Sequence, residues 1–154
     1  MCKQLLLQLS TNHMENISMK QEMLNIETNG RGTYEISGEV QNLVAKNNIK
    51  TGLCHLFLQH TSASLILCEN ADASVRTDLE NFMARIAPDG APEYQHDMEG
   101  PDDMPAHIRS ILTQNSMSIP ITNGRCTLGT WQGIYLWEHR TRGHRRKLVI
   151  TLQD

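Results

Sequence analysis

Residues 53–68 read Leu-Cys-His-Leu-Phe-Leu-Gln-His-Thr-Ser-Ala-Ser-Leu-Ile-Leu-Cys, and this stretch decides the fold class. Residues 53–60 and 63–68 are short runs, apolar on both faces and bounded by turn residues, which predicts central strands covered on each side. Thr61-Ser62 joins them as a hairpin or bent pair, Gly52 precedes them and Glu69-Asn70 closes them. Asp72 then caps a helix over 72–86 in which Val75, Leu79, Phe82, Met83 and Ile86 fall on one apolar stripe, with Phe82 expected inside. The run Pro88-Asp89-Gly90-Ala91-Pro92 ends that helix as a loop.

Upstream, Ile36, Val40, Leu43 and Val44 give helical spacing within 35–48, stopped at Asn47-Asn48. Residues 3–10 suit a strand, whereas 11–32 show no clean periodicity. Downstream, Asp102 or Asp103 opens a shorter helix whose first turn tolerates Pro105, with Met104, His107, Ile108 and Ile111 on its inward side. Residues 116–121, 133–139 and 147–152 read as three strands broken by glycine-containing turns. The expectation is one α+β domain over residues 1–154, dominated by sheet.

The 154 residues carry a net charge of −3 and a pI near 6.1, which argues against a nucleic acid or an anionic membrane as partner. Cys2, Cys54, Cys68 and Cys126 form no CxxC pair, and residues 1–10 lack a signal-peptide pattern, so reduced thiols in a cytoplasmic protein are expected. No run approaches the roughly 18 apolar residues of a membrane helix.

Residues 96–107 hold two histidines and four carboxylates: His96, Asp97, Glu99, Asp102, Asp103 and His107. Imidazole nitrogen mixed with carboxylate oxygen suits zinc, manganese or magnesium, alone or with a phosphate. The competing reading is an acidic, solvated helix entry with two incidental histidines. His60 shares a strand face with Cys54, Leu56 and Leu58, and is either a site residue or a core histidine satisfied by the backbone. Glu138 shares a face with Ile134 and Leu136, so its carboxylate needs a cation, a metal or a proton; pairing with Arg140, Arg142, Arg145 or Arg146 is the structural alternative. Those arginines with His144 and Lys147 form a basic patch suited to phosphate or carboxylate recognition, or a solvated hairpin tip. Thr61-Ser62 sits in no nucleophile elbow, and dinucleotide and Walker loops are absent.

Six segments in order carry a resemblance: His60-Thr61-Ser62-Ala63, Glu69-Asn70-Ala71-Asp72, Glu99-Gly100-Pro101-Asp102-Asp103-Met104-Pro105-Ala106-His107, Ile119-Pro120, Leu128-Gly129-Thr130-Trp131-Gln132-Gly133-Ile134 and Glu138-His139-Arg140. Over residues 35–153 the chain resembles the YjbQ family, also described as secondary thiamin-phosphate synthases. The resemblance implies a compact α+β fold with a large mixed sheet flanked by helices, and a homotrimer with a polar site near its subunit contacts. It also implies an activity joining a hydroxymethylpyrimidine diphosphate to a thiazole phosphate. A divalent metal and basic side chains would stabilise the departing diphosphate. His60, His96 and His107 are then the expected metal ligands, with Asp103 or Glu138 completing or orienting them and His107, Glu138 and Asp103 needed for catalysis. Arg145 and Arg146 would clamp phosphate, and Asn70 and Gln132 would hold the substrate's hydrogen-bonding edge. The alternatives are a non-catalytic trimer that binds a metabolite or metal, and a metal-dependent phosphate-ester hydrolase.

Overall fold

A computed structural model describes residues 18–154, so the strand expected at 3–10 lies outside the described residues. In chain order the elements are β1 (Met19–Glu27), β2 (Gly32–Glu35), α1 (Ser37–Lys46), β3 (Thr51–Leu58), β4 (Ala63–Glu69), α2 (Ala73–Ile86), α3 (Asp103–Leu112), β5 (Ser116–Thr122), β6 (Arg125–Cys126), β7 (Gln132–Glu138) and β8 (Arg145–Gln153). The α+β class is as expected. The strands divide between a five-stranded sheet, β1-β8-β3-β5-β6, and a three-stranded sheet, β2-β7-β4, and every pairing among the described residues is antiparallel where a single mixed sheet was implied.

The hairpin expected at Thr61-Ser62 is a crossing between layers: β3 pairs with β5 and β8, while β4 pairs with β7 in the other sheet. The strands are therefore unequal in their cover. β3 is central but buries only one face, Cys54, Leu56 and Leu58, whereas Leu53 and Phe57 point outward and His55 shares a hydrogen bond with Ser118 on that outer face. β4 is an edge strand, and β7 is the one buried on both faces. Its Ile134 and Leu136 join Leu56, Leu65, Ile119, Leu148, Ile150 and the α1 residues Val40 and Val44 in the core between the sheets. Tyr135 and Trp137 face the other way, toward α2, where Arg76 lies over the Tyr135 ring and Glu80 accepts from Trp137 Nε1.

Three expectations need correction. β1 and β2 form where no periodicity was legible, because β1 is an edge strand whose inner residues Glu22, Leu24 and Ile26 are only half-buried. On α2, Asp72 does cap the helix by accepting from Ser74 N at 2.8 Å, but only Met83 is buried, and Phe82 is 49% exposed with Arg85 lying over its ring. On α3 the inward side is Asp103, Pro105, Ala106 and Arg109, while Ile111 is 81% exposed. The helix turns its charged stripe inward because buried partners await those groups. No helix among the described residues is long and apolar enough to cross a membrane.

Replacing Phe82 by Ala should therefore cost under about 1 kcal/mol, whereas Leu65→Ala, which empties a fully buried site, should cost about 2–5 kcal/mol in denaturant unfolding. Equal losses in the two variants would contradict this assignment of the core.

Candidate metal centre

The acidic segment closes on itself where α3 begins. Gly100 has φ +113°, a left-handed value natural to glycine, and a side chain there would press within 3.3 Å of Asp102 Oδ1. That turn delivers Asp102 and Asp103 to the start of α3, where the helix dipole favours negative charge. Asp102 makes no cap. It accepts from Thr141 N at 2.7 Å, Thr141 Oγ1 at 2.9 Å and Arg140 Nε at 3.1 Å. Burial alone would raise its pKa, but the Thr141 and Arg140 bonds outweigh it and hold the carboxyl down at about 2.

Asp103 is buried, and its two oxygens have different surroundings. Oδ1 accepts from Arg140 Nη1. Oδ2 lies 2.7 Å from His96 Nε2 and 3.5 Å from His107 Nε2, yet has no hydrogen-bond partner among the described residues. The His96 approach is an ion-pair contact rather than a directed hydrogen bond, so the three atoms gather without a hydrogen bond joining them. One ligand atom from each of His96, Asp103 and His107 lies within 4.8 Å of the others. His107 follows Asp103 by one helical turn, and its Nδ1 is 3.1 Å from the Thr61 carbonyl oxygen. That contact places the ring proton on Nδ1 and leaves Nε2 as the free donor atom, the arrangement usual for metal-bound histidine. His96 comes from the loop before the helix and lines an open groove with Gly90, Pro92, Tyr94 and Asp97.

The structure brings together His96, Asp103 and His107. It does not bring His60 into that set. His60 Nε2 accepts from Lys147 N at 2.8 Å and its Nδ1 faces Arg146 Nη1 at 3.3 Å, so its lone pair is taken. Burial and then the Arg146 charge lower its pKa. This is the structural alternative for His60, with the backbone partner a donor rather than a carbonyl.

Glu138 likewise takes the structural alternative. It is fully buried at the end of β7 and accepts from Arg146 Nε at 2.7 Å, from Arg146 Nη2, from Arg140 N at 3.0 Å and from Thr28 Oγ1 at 2.8 Å. Burial pushes its pKa up, and the Arg146 bonds with those of Arg140 and Thr28 bring it net below the ordinary value. Arg146 spends Nε and Nη2 on Glu138 and Ser62 O, its Nη1 lies beside His60, and the side chain is 3% exposed, so it is not presented to a phosphate. Arg145 is exposed, and among the described residues its side chain meets Glu27 at 3.3 Å. Asn70 and Gln132 stand at the opposite end of β4 and β7 from Glu138, roughly 20 Å away along the strands. There Gln132 Oε1 accepts from Gly129 N at 2.8 Å, closing its own loop.

Sequence reasoning missed a second buried polar group beneath α2 and α3. Arg109 is wholly buried, its Nη1 donating to Glu80 Oε1 at 2.5 Å, with Nε and Nη2 unpartnered among the described residues. His139 Nε2 is 2.9 Å from Ser64 Oγ, and burial, then the Arg109, Arg31 and Arg146 charges, lower its pKa to about 3, leaving it neutral. The only available signal was the spacing of Asp103, Ala106 and Arg109 along one side of α3.

Among the described residues, two antiparallel sheets, three helices and a His-Asp-His cluster at a helix start define an α+β domain with a candidate divalent-metal centre. The chain belongs to the UPF0047 YjbQ-like family, whose model matches residues 22–154. It is 52% identical over 130 residues to the UPF0047 protein sll1880 of Synechocystis sp., covering 84% of this chain and 88% of that one. It is 46% identical over 134 residues to the UPF0047 protein YjbQ of Escherichia coli O157:H7, covering 86% and 96%. Among solved structures, a conserved YjbQ/UPF0047 family protein of Clostridium acetobutylicum superposes with a TM-score of 0.75 at 31% identity, over 86% of this chain and 98% of that one.

Glu138→Gln should cost about 3–5 kcal/mol in equilibrium unfolding, since it leaves the buried Arg146 guanidinium without its counter-charge. A stable variant that has lost only activity would restore Glu138 to a catalytic role.

Proposed function

We propose that the protein is a metal-dependent enzyme acting on phosphorylated small molecules, working as a homotrimer in the cytoplasm. The observation that carries this reading is the buried Asp103 Oδ2, which takes no directed hydrogen bond among the described residues and stands 2.7 and 3.5 Å from two imidazole nitrogens, one of them already oriented through Thr61. A buried carboxylate oxygen without a hydrogen bond is costly, and a cation bound among these three atoms offsets that cost. Two imidazoles with one carboxylate favour zinc or manganese over magnesium, which prefers all-oxygen surroundings. A divalent ion held there supplies Lewis acidity toward a phosphate oxygen.

The chain's own residues set the rest. His107 is held in one tautomer, Asp103 brings the negative charge, and Arg140 fixes Asp103 while offsetting part of that charge. His96, half-exposed beside Tyr94 and Asp97, marks the side from which a substrate approaches. The finer reading is transfer of the pyrimidinylmethyl group of a hydroxymethylpyrimidine diphosphate to a thiazole phosphate, in which the bond from that methylene carbon to the diphosphate oxygen breaks, pyrophosphate leaves with the oxygen, and a bond from the carbon to the thiazole nitrogen forms. In that reading Arg146 and Glu138 hold the fold beside the site and do not touch the reacting atoms.

The trimer is supported by the outer face of the larger sheet, where Met23, Val149 and Phe57 stand abreast on β1, β8 and β3. Met19 and Leu53 flank Gln153 two rows further along the same face, beyond the row of Gln21, Thr151 and His55. Met19, Met23, Leu53 and Phe57 are exposed, apolar side chains that a subunit contact across this face would cover.

His107→Ala and Asp103→Asn should each abolish binding of one equivalent of zinc and lower turnover of the pyrimidine diphosphate and thiazole phosphate pair at least about tenfold. His107→Ala should hold its stability within about 1 kcal/mol, because that side chain is a third exposed. Full activity in excess chelator removes the metal from the account, and zinc binding without turnover on any phosphorylated substrate leaves a binding protein. Sedimentation equilibrium should give three times the 17.4 kDa chain mass, and a stable monomer at micromolar concentration refutes the trimer.

A further inference from the structure

Arg140 makes more contacts than any ordinary ion pair would need. Its Nη1 donates to Asp103 Oδ1, its Nε to Asp102 Oδ2 at 3.1 Å, and its Nη2 to the Glu99 carbonyl at 2.8 Å. All three guanidinium nitrogens are engaged, and the side chain is 11% exposed. Asp102, one of its anchors, is itself pinned by Thr141 N and Oγ1. The planar fork is thus locked in orientation from two sides, which a lysine ammonium could not reproduce. Asp103, 3% exposed at its side chain, cannot turn to offer both oxygens in one direction while Oδ1 stays in that grip.

We propose that Arg140 sets the coordination number of the centre: by occupying Oδ1 it limits Asp103 to one donor oxygen, so that an ion receives three protein ligands and keeps positions for solvent and substrate. This rests on the metal-centre reading above and goes beyond it. Centres closed by four protein ligands are structural, and those with three and an open position are catalytic. Arg140 is accordingly a positioning residue, acting on the ion through Asp103.

The test uses the full chain loaded with one equivalent of manganese(II). Water-proton relaxation and ¹⁷O-water line broadening in its EPR spectrum count the exchangeable waters on the ion. The wild type should show about three, the remainder of an octahedral shell after three protein donors. Arg140→Met frees Oδ1 for bidentate binding and should lose one of them, and Arg140→Lys should recover it in part. Metal-minus-apo infrared difference spectra of the wild type, with ¹³C-labelled aspartate, should show the widely split carboxylate stretches of one-oxygen binding, a readout that does not depend on any variant folding.

Failure of the wild type to bind manganese or zinc overturns the metal-centre reading and this inference with it. Binding with no exchangeable water, or with the narrow splitting of a bidentate carboxylate, overturns the open centre while leaving the metal in place. An Arg140→Met protein that binds the ion with an unchanged water count overturns the role of Arg140 alone.

Discussion

The buried ion pair between Glu138 and Arg146 is the constraint on which the rest of the structure depends. Glu138 ends β7 in the smaller sheet and Arg146 lies near the start of β8 in the larger one, so the pair ties the two layers together at one end of the core. Charges so buried hold together only when their remaining lone pairs and protons are satisfied. Here Thr28 and the Arg140 amide complete the carboxylate, and Ser62 O takes a guanidinium proton. Thr28 in turn accepts from His144 N, which fixes the turn between β7 and β8.

That turn is what places the candidate centre. The Arg140 amide is bound to Glu138, and its side chain reaches across to the start of α3. Arg140 therefore links a core ion pair to two helix-terminal aspartates. Asp102 is hydrogen-bonded within the protein by Thr141 and Arg140, whereas Asp103 takes a hydrogen bond at Oδ1 only among the described residues. That contrast between adjacent carboxylates is what makes Asp103, and not Asp102, the oxygen donor of the candidate centre. Arg31 extends the same support outward, holding the His139 carbonyl with Nε and Asp89 with both terminal nitrogens, which pins the loop leading toward His96.

Much of this was legible in the sequence, for identifiable reasons. Strand cores at Leu56, Leu65, Leu136 and Ile150 announced themselves as apolar runs, and the density of histidine and carboxylate in residues 96–107 marked the cluster that the fold assembles. What periodicity could not give was the identity of the partner. Glu138 and Arg146 are eight residues apart with no local signature, and His60 was judged by its face although its nitrogens answer to Lys147 and Arg146 across the sheet. The stripe on α3 misled because Met104, Ile108 and Ile111 looked like the buried side, when tertiary partners for Asp103 and Arg109 determined the rotation. Phe82 misled in the same way: an apolar position on a helix is not a buried one unless something covers it.

The most direct test of the central claim is a crystal structure of the zinc-loaded protein with anomalous scattering recorded at the zinc edge. The account predicts a peak bonded at about 2.0–2.2 Å to His96 Nε2, His107 Nε2 and Asp103 Oδ2, with His60 still held by the Lys147 amide. A peak ligated by His60, or no peak between His96, Asp103 and His107 at saturating zinc, would contradict it.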